Sequence, residues 1–268
     1  MKKYGFTLSE LLVTITVIGV IASLTIPNIV SNEQNKINAT RLQTSVQSVE
    51  QALTNIVAMQ NADSLFETTP WSNGRITNAS SDSNKRHFAN ELTKYLSVIS
   101  YDVGTNAPAN FYSGKTVYGL DDNGGRKKAN VIDQFNNCIV LNTTQGATIF
   151  IRAFDKSDTR ATGGGDIISD NVAFSRQTSL NANPADIFID VNGKEGPNTV
   201  GRDLFHFYVG AEGILYPFGG KDVANYEGDT GQDWSSSTYG SRCTDGSKGN
   251  NGWGCTGRLI DEGYKINY

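Results

Sequence analysis

The hydrophobic pattern of this chain is dominated by one long apolar run near its start. Between Leu11 and Asn32 no residue is charged, and leucine, isoleucine and valine are the commonest types there. About 20 apolar residues are enough for a helix to cross a bilayer, so the pattern predicts a membrane-spanning helix over residues 6–30. Two lysines precede the run and no basic residue follows until Lys36. The positive-inside rule therefore predicts a cytoplasmic N-terminus.

Beyond Pro27 the pattern becomes that of an amphipathic helix in water. Apolar residues recur every three to five positions among Asn, Gln, Ser and Thr, namely Ile37, Leu42, Val46, Val49, Leu53 and Ile56. Such a stripe packs on a core, so we predict one helix over 6–60, followed by a head domain over 61–268. Proline lacks an N–H and clashes with the preceding turn, so we expect a kink or local melting at Pro27.

Shorter apolar runs in the second half of the chain have the length and the turn boundaries of strands. Five of them predict an antiparallel sheet of about four or five strands, at 138–142, 147–152, 186–190, 204–209 and 214–216. A second helix is predicted over 84–100, and the Gly- and Asp-rich segment 155–171 is expected to be mobile. The predicted fold class is α+β, with a long N-terminal helix packed on an antiparallel sheet and long loops.

Composition limits the classes of function. The 268 residues include 23 basic and 27 acidic ones, for a formal net charge of −4, so the chain lacks the basic footprint of a nucleic-acid-binding protein. About 200 residues remain after the helix, enough for one domain with a core. Gly-x-Ser-x-Gly and phosphate-loop motifs are absent from the sequence, which argues against an enzyme.

One ionisable residue, Glu10, interrupts the start of the apolar run. A charged group at the edge of a membrane span is costly unless it is paired, so a plain membrane anchor leaves Glu10 unexplained. A secretory signal peptide has similar basic and apolar regions. However, the residues after the run, Ile26-Pro27-Asn28-Ile29, lack a small-x-small cleavage site.

The stretch Gly5-Phe6-Thr7-Leu8-Ser9-Glu10, together with the apolar run and Pro27, resembles the N-terminus of type IV pilin-like proteins. That family includes pilins and type II secretion pseudopilins. The resemblance covers about the first 30 residues. It implies that a prepilin peptidase cuts after Gly5, so that residues 1–5 are a leader, and methylates Phe6. Glu10 would then be the fifth residue of the mature chain.

The resemblance also implies a structural role in a type IV pilus or type II secretion pseudopilus. Expected partners are the prepilin peptidase and methylase, other pilin or pseudopilin subunits, an inner-membrane assembly platform and membrane lipid. The helix would span the inner membrane once with the head outside the cytoplasm, and Glu10 would neutralise the Phe6 ammonium group of a neighbouring subunit. The alternative is a membrane-tethered surface adhesin or binding module.

The segment 190–203 is rich in oxygen ligands. Carboxylate and amide oxygens from Asp190, Asn192, Glu195, Asn198 and Asp203 are the type that calcium prefers, and glycines between them permit a tight loop. The segment opens like an EF-hand but lacks the glutamate at the twelfth position. Some pseudopilins bind calcium near their C-terminus. The other interpretation is a long structural turn between two strands whose polar side chains satisfy backbone groups.

Three cysteines complete the candidate chemistry. Cys243 and Cys255 lie twelve positions apart in a Gly- and Asn-rich segment, and in a protein of the cell envelope an oxidised pair is the natural interpretation. The pair also resembles the disulfide-bounded C-terminal loop of many pilins. Two reduced thiols are the alternative. Cys138, within a predicted strand, is expected to be a buried small hydrophobic residue.

Overall fold

The computed structural model describes most of the chain. The described residues are 5, 7–72, 82–104, 106–128, 131–135, 138–154, 184–221, 225–226, 229–230, 233–235 and 242–268. They divide into two compact units, one ending at Ile37 and the other comprising Asn38–Tyr268. The segment 155–171, expected from the sequence to be mobile, lies outside the described residues.

A single helix, α1, covers Leu8–Met59 and confirms the long N-terminal helix. Pro27 lies inside it and the helix is continuous there, so the local melting expected at this residue is wrong. The kink stays a prediction. One proline removes only one backbone hydrogen bond, and the remaining bonds of a helix of 52 residues hold its neighbours in place.

In the N-terminal unit, α1 exposes almost all of its apolar side chains. The large ones among them are Leu8, Leu11, Leu12, Val13, Ile15, Val17, Ile18, Val20, Ile21, Leu24, Ile26, Ile29 and Val30. Its most apolar 18-residue window has a mean hydropathy of 2.0 and no buried residue. The hydroxyls of Thr16 and Thr25 donate to carbonyls four residues earlier, so these polar groups are satisfied without water.

In the head unit, the buried face of α1 follows the predicted stripe. Leu42, Val46, Val49, Leu53 and Ile56 are buried, as predicted, whereas Ile37 in the N-terminal unit is 45% exposed. The buried face belongs to the same apolar cluster as one face of the sheet. Fully burying a side chain of this size stabilises the fold by about 1.5–3 kcal/mol, so the stripe holds this half of α1 on the sheet.

The main sheet has six antiparallel strands among the described residues. The strands of the chain are β1 (Val98–Asp102), β2 (Tyr118–Leu120), β3 (Arg126–Lys128), β4 (Ile139–Thr143), β5 (Thr148–Ala153), β6 (Ala185–Asp190), β7 (Leu204–Val209), β8 (Leu215–Pro217), β9 (Asn225–Tyr226) and β10 (Asp229–Thr230). β2 pairs with β3 and β9 with β10, each pair outside the main sheet. The main sheet has the strand order β1-β4-β5-β6-β7-β8. It contains all five predicted strands and one that was not predicted, β1.

The helix predicted over 84–100 is only partly correct. α2 covers Asp82–Leu92, and Val98–Asp102 forms β1 at the edge of the sheet. Val98, Ile99 and Tyr101 are β-branched or aromatic and favour a strand, and pairing with β4 outweighed the helical spacing. Ile99, within the predicted helix, lies in β1 and is 72% exposed.

Both faces of the central strands are buried. Ile149, Ile187 and Phe207 face the cluster that includes α1, while Phe150 and Phe188 face a second, aromatic cluster. The aromatic cluster also includes Ala107 of α3 (Ala107–Phe111) and Val131 of the 3-10 turn Val131–Gln134. The 3-10 turns Leu65–Glu67 and Thr69–Trp71 and the helix α4 (Cys255–Asp261) contribute Leu65, Trp71 and Leu259 to the cluster that includes α1. A further 3-10 turn covers Asn250–Gly252. Short helices and turns therefore complete both clusters.

Candidate functional site

The first turn of α1 is closed by a reciprocal pair of side chains, Thr7 and Glu10. The Glu10 backbone N–H donates to Thr7 Oγ1 (3.2 Å), and Glu10 Oε2 accepts from both the Thr7 N–H and the Thr7 hydroxyl, each at 2.8 Å. This is a capping box, in which two groups at the helix start satisfy each other. A carboxylate there also interacts favourably with the helix dipole. The structure thus accounts for Glu10 within a single chain.

The proposed processing residues lie immediately before this capping box. Gly5 is exposed, which is the condition for cleavage by a peptidase, and Phe6 lies outside the described residues. The exposed face of α1 follows directly. Contiguous exposed apolar surface of this extent marks a membrane or a protein interface. The start of α1 therefore places one carboxylate at the end of a helix whose exposed side chains are mostly apolar.

The oxygen-rich segment between β6 and β7 is organised by two buried carboxyls, Asp190 and Asp203, both 0% exposed. The Tyr112 hydroxyl donates to Asp190 Oδ2, and the Asn192 N–H donates to Asp190 Oδ1 at 3.1 Å. The Thr199 N–H donates to Asp203 Oδ1. The two carboxyls therefore fix both ends of the loop.

Burial of this pair shifts its titration. Burial first, and the neighbouring charge of Asp203 second, raise the pKa of Asp190 well above its usual range. Burial likewise raises the pKa of Asp203 to about 7, against the opposing effect of the hydrogen bond from the Thr199 backbone. Two buried carboxyls that repel each other favour a shared proton or a cation.

The five residues predicted as calcium ligands do not all come together. Asn192 Oδ1 and Asp203 Oδ2 are buried without a hydrogen-bond partner, and oxygens of this kind are calcium ligands. Glu195 is exposed. The Asn198 amide nitrogen, oriented to satisfy both of its groups, donates to the carbonyls of Glu195 and Gly193 at 3.1 Å. Within the described ranges no group of three acidic, His or Cys side chains is close enough to bind a metal by itself.

Cys243 and Cys255 form a disulfide with their Cα atoms 5.0 Å apart, so the alternative of two reduced thiols is not the state in this structure. Arg258 lies over the closed loop, and its Nη1 donates to the Cys243 carbonyl (2.8 Å) and to Asp245 (3.0 Å). Cys138 is buried and free, as expected. Burial raises the pKa of its thiol to about 12, so it stays protonated and unreactive.

A buried polar cluster in the middle of the sheet was not predicted from the sequence. Arg152 Nη2 lies 3.3 Å from Asp186 Oδ2, and both side chains are nearly inaccessible. His206 stacks on Phe188 with ring centroids 4.3 Å apart. Neither of its ring nitrogens has a hydrogen bond, and Nε2 lies 4.0 Å from Asp186 Oδ1. Burial lowers the pKa of His206 well below its ordinary value. The only signal in the sequence was a charge alternating with apolar residues in each strand.

Comparison with known proteins identifies the N-terminal segment. The family model described as "Prokaryotic N-terminal methylation motif" matches residues 1–26. Over 66 residues the chain is 35% identical to type II secretion system core protein G of Escherichia coli (strain K12), a match that covers 25% of this chain and 38% of that protein. The chain thus spans little more than a third of the length of that relative. No solved structure matches the chain.

Proposed function

We propose that this chain, a type IV pilin-like protein by its N-terminal segment, is a structural subunit of a type IV pilus or a type II secretion pseudopilus. In this proposal the chain is cut after Gly5 and methylated at Phe6. Residues 6–30 then hold it in the inner membrane, with the head outside the cytoplasm. The observation behind the proposal is an exposed apolar helix that has Glu10 in its first turn and whose start lies within the matched methylation motif, residues 1–26.

Assembly would bring such helices together side by side. Lipid is as apolar as the helix surface, so van der Waals packing and polar pairs drive association within the membrane. Cleavage creates an ammonium group at Phe6, and neither it nor the Glu10 carboxylate can remain unpaired cheaply in an apolar setting. Glu10 therefore exchanges its contacts with Thr7 for the ammonium group of a neighbouring subunit. Such a pair fixes the register of the helices more than it adds stability.

The partners follow from this role. A prepilin peptidase and methylase would process the N-terminus, and other pilin or pseudopilin subunits would form the filament. An inner-membrane platform would supply subunits, which wait in the lipid until they are added. The role requires no catalysis by the chain itself.

The loop between β6 and β7 supports a second proposal, a structural calcium ion. Asp190, Asn192 and Asp203 would hold it, because they offer two buried carboxylates and a buried amide oxygen without a partner. The ion would supply positive charge that offsets the repulsion between the two carboxyls. Glu195 and Asn198, which the sequence also suggested, are not needed for this site.

Substitution of Glu10 by Gln tests the structural role. The amide keeps the size of the side chain but removes the charge that pairs with an ammonium group. We expect Glu10→Gln to enter the membrane normally and to lose filaments almost completely, as measured by sheared-filament yield against total protein. Glu33→Gln is the matched control, because Glu33 forms an exposed ion pair with Lys36 (2.8 Å) and should change nothing.

The outcomes separate the two functional classes. Normal filaments from Glu10→Gln would contradict the pairing role. Filaments that persist when the whole chain is deleted, together with lost surface attachment, would favour the tethered adhesin.

A further inference from the structure

Arg202, in the loop between β6 and β7, lies where several separate parts of the head meet. Its Nη2 donates to the carbonyl oxygen of Gly124 (3.0 Å), in the turn between β2 and β3, and to a main-chain oxygen of Tyr268 (3.2 Å). Its own carbonyl accepts from the Asn38 side-chain amide of α1 (3.1 Å). One residue therefore contacts α1, the β2–β3 turn and the last residue of the chain.

Tyr268 extends this junction to the disulfide. Its hydroxyl donates to the Gly201 carbonyl (2.6 Å) and to the Cys255 carbonyl (3.1 Å). The guanidinium of Arg258 lies 5.4 Å from the centre of its ring. The disulfide-bonded segment thus reaches Arg202 both through Tyr268 and through Gly201, the residue before Arg202.

The junction is packed too closely to adjust freely. Gly201 has a φ of +75°, and a Cβ there would lie 2.9 Å from Cys255 Cβ and 2.9 Å from the Gly252 carbonyl oxygen. At Gly124 a Cβ would make only an ordinary contact, 3.5 Å from the Tyr268 carbonyl carbon, so the close packing is confined to Gly201. Glycine is therefore required at Gly201, where the loop approaches the disulfide.

Asn38 is the residue of α1 that contacts Arg202. It is the first residue of the head unit, is only 3% exposed, and precedes the buried apolar stripe. A buried amide is costly unless it is hydrogen-bonded, so the bond to the Arg202 carbonyl favours one axial position of α1 against the head. Apolar side chains alone permit sliding more readily, because their packing has no direction.

We propose that Arg202 is the positioning residue that connects the disulfide-closed segment 243–255 and the end of the chain to the first head-packed turn of α1, residues 38–42. This inference rests on the proposed function in one respect. In a filament, any load on the assembled helix reaches the head first through this turn. A loosened junction would let the turn separate from the head while the sheet stays folded.

The chemistry at this position favours arginine over lysine. A guanidinium presents several donors in a fixed plane and can reach two carbonyls at once, whereas an ammonium group is a compact point charge on a flexible stem. Arg202→Lys therefore keeps the charge and removes the fixed geometry. Arg86→Lys is the matched control, since Arg86 is an exposed arginine on α2 and lies outside both measured segments.

Hydrogen–deuterium exchange of the full chain in detergent measures the junction directly. We expect Arg202→Lys to raise exchange about three- to tenfold in the amides of residues 38–42 and of 264–268, with no change in the strands β4 to β7. Asn38→Leu, which removes the contact of α1 with Arg202, should produce the same increase in exchange at residues 264–268. Arg86→Lys should leave both segments unchanged.

An effect limited to the loop 198–204, or no effect at residues 38–42, would overturn the proposal. Asn38→Leu provides the test should Arg202→Lys fail to fold. Filament yield is measured separately, and the exchange result does not depend on it. If the wild type forms no filaments, the proposed function is wrong. The proposal for Arg202 is then still tested by the hydrogen–deuterium exchange of the variants.

Discussion

At the residue scale, the polar residues of the loop between β6 and β7 fall into two groups. Some form hydrogen bonds within the loop, and others have a buried polar atom without a hydrogen bond. Asn198 and Thr199 satisfy groups of their own loop. Asn192 Oδ1 and Asp203 Oδ2 remain buried and unsatisfied. A buried polar atom without a partner is costly, so the calcium ion proposed for this loop would stabilise it by binding these oxygens.

Calcium should therefore raise the melting temperature of the full chain. At a calcium concentration about 100-fold above the dissociation constant, binding adds about 2.7 kcal/mol, which corresponds to roughly 5–10 °C for a protein of this size. Asp203→Asn should abolish the rise, measured by calorimetry with and without a chelator. Glu195→Gln should preserve it, because Glu195 is exposed. A melting temperature that calcium does not change would end the calcium proposal.

At the scale of elements, α1 and the turn between β7 and β8 meet at a position that only glycine can occupy. Gly213 has a φ of +92°, and a Cβ there would lie 2.9 Å from the backbone of Leu53 and of Thr54. Beside it, Glu50 of α1 accepts a hydrogen bond from the Leu215 N–H of β8 (2.9 Å). The turn is thus fitted to the helix by both shape and hydrogen bonding.

Gly213→Ala should weaken this contact. Gly146 provides the control, because its φ is +86° and a Cβ there meets nothing within 4 Å. In both alanine variants the left-handed backbone conformation costs about 1–2 kcal/mol of stability, but only Gly213→Ala also clashes with α1. We expect Gly213→Ala to lower the free energy of unfolding by a further 1–3 kcal/mol or so in denaturant titration. Equal losses in the two variants would show that the contact with α1 contributes nothing.

The elements themselves were largely predictable, because their signals are local. The apolar run and the stripe of α1 predicted the helix, and short runs between turn residues predicted β4 to β8. β1 was missed because its apolar residues also fit a helical face, and only pairing with β4 decides between the two. Arg202, Asn38 and the Arg152–Asp186 pair were missed for a similar reason, since each is defined by contacts between distant parts of the sequence.

At the scale of the whole molecule, the second half of α1 belongs to the compact head unit, which begins at Asn38. This half contributes the buried stripe to the core, so it folds with the sheet. The first half of α1 exposes its apolar surface, which the proposed membrane span and helix packing would cover. The division of the sequence into a helix over 6–60 and a head domain over 61–268 stays a prediction.

Intact-mass and N-terminal peptide analysis of the protein from its native membrane tests the central proposal most directly. The proposal predicts a chain that begins at Phe6 and has one added methyl group. A chain that still begins at Met1 would contradict it and leave a membrane-anchored domain. A chain that begins after Pro27 would also contradict it, because a secreted protein without Glu10 cannot assemble in the manner described.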